Sequence, residues 1–389
     1  MRPATRGGRS HPRDAPLARP YRGPVPAYRR CPTGRARRPT TRPRTYRATA
    51  IPGDGVGPEM VAAARRAIDA VGVAFDWDEV DLGPATERGD DPIPERALAS
   101  IRDTRIALKG PLETPVGARR NANVELRIAL DLFAGVRRCR SFPGTRTRYG
   151  DLDVVIVREN TEAEYTGVEF EHGQPETTDM IAFIQAATGK RVRNDSGLSI
   201  RTISQGASER IVRFAFAYAA ENGRSKITAG HKANIMKFTD GVFLDAARRV
   251  AADHPELAFE ERIIDALSMQ LVQHPAAFDV LVLPNLYGDI VSEVCAGFVG
   301  GPGFVPAVNL GEGVAVFETL HGSARHARAR ATPVAMLLSA AMLLRQVGED
   351  PAGDRLETAV VATIEASGGD AGRLTTEPFT DAVIARLDG

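Results

Sequence analysis

Short apolar runs alternate with longer stretches in which apolar residues recur every three or four positions, and the alternation holds from about residue 46 onward. The short runs predict strands at 48–51, 73–80, 105–109, 152–158, 226–230 and 278–284. The helical spacing predicts helices over 59–71, 93–102, 121–132, 207–222, 239–252, 289–299, 333–346 and 355–366. In the first of these, Val61, Ala64, Ile68 and Val71 share one side. Strands alternating with helices predict an α/β sheet with parallel pairs. The segment 171–205 is polar and weakly patterned, and reads as an excursion from the sheet or a contact between subunits.

Composition narrows the class. A chain of 389 residues buries a large core and ordinarily divides into two domains. With 43% hydrophobic and 25% charged residues it reads as soluble and globular. No stretch approaches the length of a membrane span, and the start lacks a signal peptide's apolar core, so a cytoplasmic protein with no membrane partner is expected. Cys31, Cys139 and Cys295 have no metal-type spacing and read as reduced thiols.

Charge changes the picture at one end only. Basic and acidic residues nearly cancel, at 50 and 49, but residues 1–47 hold 14 Arg against one acid, Asp14. The body is therefore acidic and the head basic. The head, 1–45, is rich in Pro and Gly without hydrophobic periodicity, and is expected to be disordered. A nucleic-acid arm or a targeting presequence would look similar. Arg outnumbers Lys by 45 to 5 over the whole chain, so the head shares a general bias, and no nucleic-acid partner is expected.

Candidate chemistry concentrates between Asn285 and Arg345. The apolar run 278–284 leads into Gly288-Asp289, and Glu293 follows one helical turn later, so both carboxylates share a helix face. Carboxylates without Cys or His beside them suit a hard divalent cation such as Mg2+ or Mn2+. A glycine cluster (Gly300, Gly301, Gly303) and the run Phe317-Glu318-Thr319-Leu320-His321-Gly322-Ser323-Ala324 come next. Near the start, Pro52-Gly53-Asp54-Gly55-Val56-Gly57-Pro58-Glu59 turns into the first helix, with a glycine spacing that is not the Rossmann fingerprint.

Metal carboxylates, a glycine turn and a His-Gly-Ser loop in this order, with IPGDGVGPE upstream, resemble the isocitrate/isopropylmalate dehydrogenase family over essentially all of 46–389, most closely its NAD-linked isocitrate branch. The resemblance implies that family's α/β fold rather than a Rossmann fold. A large α/β domain would come from 46–132 and 300–389. A smaller α/β domain would come from 133–299, with a dimer clasp over about 165–205. It also implies metal-dependent oxidative decarboxylation of a 2-hydroxy acid with hydride transfer to NAD(P)+, isocitrate to 2-oxoglutarate being the expected case. Homoisocitrate, 3-isopropylmalate and tartrate are alternative substrates within the family, and a catalytically silent regulatory subunit is an alternative outside catalysis.

By the same resemblance, Arg127, Arg137 and Arg158 are expected to hold substrate carboxylates, a task suited to guanidinium forks. Tyr165 would protonate carbon after CO2 leaves. Lys232, near a metal and several arginines, suits proton exchange with the substrate hydroxyl. Asp289 and Glu293 would bind metal together with Asp265, Lys232 and Asp265 being supplied by the other subunit of a homodimer with shared active sites. Leu112, Thr114, Asn285, Glu318, His321, Gly322, Ala324 and Arg325 match positions lining the cofactor.

Three departures bear on chemistry. Glu293 stands where the family normally has Asp. The loop His321–Pro333 is two residues short and lacks the acid that holds the adenosine ribose in NAD users. Its arginines (Arg325, Arg328, Arg330) and His326 suit a 2′-phosphate, so NADP is possible beside the expected NAD. Asn121 replaces a usual Ser, and with Asn123 makes the substrate's third-group pocket polar, which favours isocitrate over an isopropyl group.

Overall fold

The computed structural model describes residues 44–83, 93–113, 121–145, 147–322, 332–369 and 375–387. The basic head up to residue 43, Thr114, Ala324 and Arg325, and the His326, Arg328 and Arg330 of the same loop, lie outside the described residues.

The strands in chain order are β1 (Thr45–Ile51), β2 (Ala74–Glu79), β3 (Ile106–Lys109), β4 (Ala134–Arg140), β5 (Asp153–Glu159), β6 (Glu169–Phe170), β7 (Leu198–Ser199), β8 (Lys226–His231), β9 (Ala258–Ile263), β10 (Val280–Leu283), β11 (Pro306–Gly311) and β12 (Val314–Thr319). The helices are α1 (Gly57–Ala70), α2 (Glu95–Thr104), α3 (Ala122–Ala129), α4 (Pro175–Thr188), α5 (Gln205–Glu221), α6 (Asp240–Ala252), α7 (Ile264–Gln273), α8 (Asn285–Phe298), α9 (Val334–Gln346), α10 (Asp350–Ala366) and α11 (Thr376–Ala385).

Ten strands form one sheet in the order β2-β1-β3-β12-β11-β4-β5-β10-β8-β9. Pairing is parallel toward both ends, as the alternation predicts, but β4 runs antiparallel to β5 and β11, and β11 to β12. The seam at the middle is short: β11 meets β4 over Ala307↔Arg137 to Leu310↔Ala134. The predicted strands and helices are all present, with ends displaced by a few residues. β1 begins at Thr45 rather than 48, and α8 begins at Asn285 rather than 289.

Helices cover both faces. One face carries the largest core, where α1, α5, α6, α9, α10 and α11 bury residues such as Ile68, Phe214, Phe243, Leu337 and Phe379 against the sheet. The opposite face carries two smaller cores. Leu98, Ile101 and Leu126 of α2 and α3 build one, and Leu267, Val291 and Cys295 of α7 and α8 the other. α3 and α8 thus approach the sheet from the same side around the antiparallel seam, and that is where the charged residues gather. The polar segment 171–205 contains α4, and β6 and β7 on either side of α4 pair as a separate two-stranded ribbon. α4 buries only Thr177 and Ile181 and leaves Phe183 67% exposed.

Candidate active site

Strand alternation decides which arginines face α8. On β4, Arg137 and Cys139 point toward α8 and Arg138 points to the opposite face. On β5, Val155 and Val157 enter the large core, leaving Arg158 on the α8 side. Arg158 is 1% exposed, and burial of so large a charge is tolerated only with partners. It has them one helical turn apart: Nε and Nη2 donate to Asn285 Oδ1 (3.1 and 2.7 Å), and Nη1 pairs with Asp289 Oδ1. Gly288 makes the approach possible, because a Cβ there would stand 2.6 Å from Arg158 Cγ and 2.8 Å from its Cβ.

Asp289 is the hub. Oδ1 also accepts from Arg137 Nη1 at 3.1 Å, and Oδ2 accepts from the Tyr165 hydroxyl at 2.6 Å. Burial pushes the Asp289 carboxyl up, but the guanidiniums of Arg158 and Arg137 and the Tyr165 hydroxyl outweigh it and hold the group down at about 2. Burial, with repulsion from Arg137 and Arg127, lowers Arg158 to about 9, still charged at neutral pH. The Arg158 guanidinium lies 4.9 Å over the Tyr165 ring. Burial raises the Tyr165 hydroxyl, and the hydrogen bond to Asp289 adds to the rise against the pull of Arg158, so the phenol keeps its proton.

Glu293 stands one turn beyond Asp289, exposed, with its carboxyl raised by burial on its inner side and by the Asp289 charge, against Arg137. Asp289 and Glu293 offer only oxygen donors, one held ionised, and that set fits a hard divalent cation. Asp265, the third expected ligand, lies elsewhere in the chain: it opens α7 and accepts from Lys232 Nζ at 2.5 Å. Among the described residues, no three His, Cys, Asp or Glu side chains gather into a metal-holding group.

A second buried network joins α3 to β3 and β12. Lys109, 2% exposed at the end of β3, pairs with Glu318 Oε2 at 2.7 Å and donates to Asn123 Oδ1 at 3.1 Å. Glu318 Oε1 accepts from Arg127 Nη2 (3.3 Å) and Asn309 Nδ2 (2.6 Å). Burial raises the Glu318 carboxyl, but Lys109 and Arg127 bring it down to about 2. Asn123 Nδ2 also donates to the carbonyl of buried Leu112 at 3.4 Å. Asn121 is the N-cap of α3, its Oδ1 accepting from the N–H groups of Asn123 (2.9 Å) and Val124 (3.3 Å).

The Pro52–Gly57 turn packs backbone to backbone on the loop after β3. A Cβ on Gly110 would lie 2.0 Å from the Pro52 carbonyl, and Asp54 Oδ2 accepts from the Glu113 N–H at 2.7 Å. This fixes Leu112. His321 Nδ1 is 2.9 Å from the Gly322 carbonyl, and burial lowers its pKa, leaving it neutral. The Glu318 carboxylate is thus balanced inside the fold by Lys109 and Arg127, and the same network reaches Leu112 through Asn123. Asn285, expected on the cofactor side, is 1% exposed and occupied with Arg158, and its Nδ2 donates to the Glu162 carbonyl at 3.1 Å.

The structure thus joins Arg137, Arg158, Tyr165, Asn285 and Asp289 in one cluster with Glu293 beside it, and Asn123, Arg127, Leu112 and Glu318 in another. Lys232 and Asp265 form a separate exposed pair. Sequence reasoning overlooked Lys109, although one lysine closing an apolar strand, in a chain with five, is a visible signal.

A family model for isocitrate/isopropylmalate dehydrogenase matches residues 47–383. The chain belongs to the isocitrate/isopropylmalate dehydrogenase family. It is 42% identical over 353 residues to a probable NAD isocitrate dehydrogenase subunit alpha, mitochondrial, of Drosophila melanogaster, covering 88% of each chain. It is 41% identical over 323 residues to a chloroplastic 3-isopropylmalate dehydrogenase of Solanum tuberosum, covering 82% of this chain and 85% of the potato protein. The crystal structure of isocitrate dehydrogenase from Methylococcus capsulatus superposes with a TM-score of 0.80 at 40% identity, covering 88% of this chain and all of that one. The family and fold expected from the sequence therefore hold, and the chain has the fold of a dehydrogenase of this family rather than a Rossmann domain. The expected cytoplasmic location is overturned: the fly protein is mitochondrial, as are the NAD-linked relatives from Caenorhabditis elegans, Arabidopsis thaliana and Sus scrofa.

Proposed function

We propose that the chain is an NAD-dependent decarboxylating dehydrogenase that converts isocitrate to 2-oxoglutarate. The observation that carries this reading is the convergence of Arg158, Arg137 and Tyr165 on the Asp289 carboxylate. It gathers two carboxylate-binding forks, a proton donor and an ionised oxygen ligand at one point. The NAD-linked relatives support isocitrate, and the polar Asn121 and Asn123 at the start of α3 agree with a third substrate carboxylate.

Arg137 and Arg158, with Arg127 across the seam, bind and orient the substrate carboxylates. Their mutual repulsion is relieved when an anion lies among them. Lys232 takes the proton from the substrate hydroxyl. Tyr165, which holds its proton at neutral pH, delivers it to the carbon that loses CO2. Asp289 and Glu293 would hold Mg2+ or Mn2+, and when bound such a cation supplies Lewis acidity at the hydroxyl and the adjacent carboxylate. Leu112, Glu318, His321 and Gly322 would form the cofactor wall, with Thr114, Ala324 and Arg325 completing it, and NAD would accept the hydride.

We further propose a homodimer in which Lys232 and Asp265 serve the second copy's site. Ile235, 68% exposed, and Phe238, 93% exposed, follow Lys232 closely, and such apolar exposure supports burial against another subunit. Residues 46–132 with 300–389 would form the larger domain and 133–299 the smaller, meeting at the β11–β4 seam.

The test is near-ultraviolet absorbance of the reduced nicotinamide. Purified protein is mixed with Mg2+ or Mn2+, either NAD+ or NADP+, and isocitrate or 3-isopropylmalate. Metal-dependent reduction of NAD+ with isocitrate is expected. Turnover of 3-isopropylmalate alone would move the substrate, and preference for NADP+ would move the cofactor. Reduction with neither substrate would overturn the proposal.

A further inference from the structure

The 3-10 turn Ala163–Thr166 that carries Tyr165 is not secured by its own geometry. It spans four residues and begins at Ala163 with φ of +63°, a left-handed conformation that costs a non-glycine residue on the order of 1 kcal/mol or more. The chain leaving β7 holds it from outside. The Ala163 N–H donates to the Thr202 carbonyl at 2.9 Å, and Arg201 Nε lies 3.0 Å from Glu164 Oε1.

Arg201 has a second carboxylate partner. Its Nη1 lies 2.8 Å from Oδ1 of Asp240, the first residue of α6, which is fully buried. The other oxygen of Asp240, Oδ2, accepts the backbone N–H of Lys232 at 2.6 Å. Nη1 also donates to the Tyr287 hydroxyl at 3.1 Å, with the guanidinium 4.7 Å over the Tyr287 ring. One hydrogen bond and two ion pairs therefore lead from the Lys232 backbone through Asp240 and Arg201 to Glu164, the neighbour of Tyr165. Stability alone does not account for an ion pair in this place, because buried pairs can often be exchanged for apolar residues at no net cost.

We propose that Arg201 is a positioning residue that, through Asp240 and Glu164, fixes the Lys232 backbone and the Tyr165 turn relative to one another. One buried pair then sets Tyr165 of its own site and, in the proposed dimer, Lys232 of the second copy's site. This inference rests on the roles given to Lys232 and Tyr165 above.

The experiment uses the full chain with Mg2+ and two readouts. The first is NAD+ reduction with isocitrate. The second is exchange of the C3 hydrogens of 2-oxoglutarate with D2O, followed by NMR, which reports proton delivery to carbon without hydride transfer. R201Q should lower both rates by about tenfold or more, while the KM for isocitrate stays within about threefold, because the misplaced groups act after binding. R201K, which keeps a positive charge between the two carboxylates, should recover most of both rates. If R201Q does not fold, D240N carries the same expectation, since it removes the charge and keeps an acceptor for the Lys232 N–H. Loss of only one rate, or of neither, overturns the proposal. Y165F should suppress the exchange and K232M the reduction; if neither rate falls in these variants, the reading of the site fails rather than that of the pair.

Discussion

Gly288→Ala isolates the contact on which the substrate cluster depends. The added Cβ would meet Arg158 Cγ at 2.6 Å, Cβ at 2.8 Å and Cα at 3.3 Å, where ordinary contact begins near 3.4 Å. The struck atoms are the stem and backbone of a buried residue, so rotation of a free side-chain end cannot relieve them. Either α8 or β5 must give by about 0.8 Å, roughly the misplacement that costs a reacting group about a hundredfold in rate. Overpacking costs about 1–3 kcal/mol and the exchange of Gly for Ala in a helix returns about 1, which leaves a net loss of about 0–2 kcal/mol. At about 2–4 °C per kcal/mol, Tm should fall by no more than about 8 °C. The expected outcome is a folded protein whose kcat/KM for isocitrate drops about a hundredfold, about 2.7 kcal/mol of transition-state stabilisation. Melting curves and initial rates on one preparation measure both quantities. Native kcat/KM in G288A would refute the reasoning, because Arg158 would then not depend on its close approach to α8.

Two further predictions concern α3 and what lies beneath it. Glu318, held at about 2 against an ordinary 4.5, contributes on the order of 3 kcal/mol, present above about pH 4.5 and lost as pH falls toward 2. E318Q should therefore be less stable at neutral pH by about that amount or more, with Lys109 left buried and unpaired. In urea titrations the gap to the native protein should narrow below pH 4; a gap constant with pH would contradict the assigned charge pairing. N121A removes the cap of α3 and should cost about 1 kcal/mol. It should also raise the KM for isocitrate relative to that for NAD+, and an unchanged KM would take Asn121 out of the substrate pocket.

Much of this architecture was legible in the chain. Parallel strands such as β10, apolar from Val280 to Leu283, are buried on both faces and read as continuous runs. The helices on the large core show clean spacing, since one side of each meets the sheet. β4 was illegible because AGVRRCR sends guanidiniums to both faces, and three arginines erase an apolar run. The β11–β12 hairpin turns at Glu312-Gly313 inside what reads as a glycine-rich loop, so its two strands merged with the motif around it. α4 has few core contacts, and its Thr-rich face carries no amphipathic signal. At the site, Asp289 and Arg158 stood out through their motifs. The Lys109–Glu318 and Arg201–Asp240 pairs join residues far apart in the chain, and only the fold brings them together.

The contact of one guanidinium with a full turn of α8 bears on how this protein can vary. Asn285, Gly288 and Asp289 serve the same side chain, two as acceptors and one by leaving room. A change at any of them alters what the other two are worth, so single replacements in this turn should be poor guides to double ones. Removing Leu286 or Tyr287 would turn Gly288 and Asp289 by about 100° relative to Asn285 and break up the shared contact. This stretch of helix together with Arg158 is therefore expected to tolerate change only as a unit.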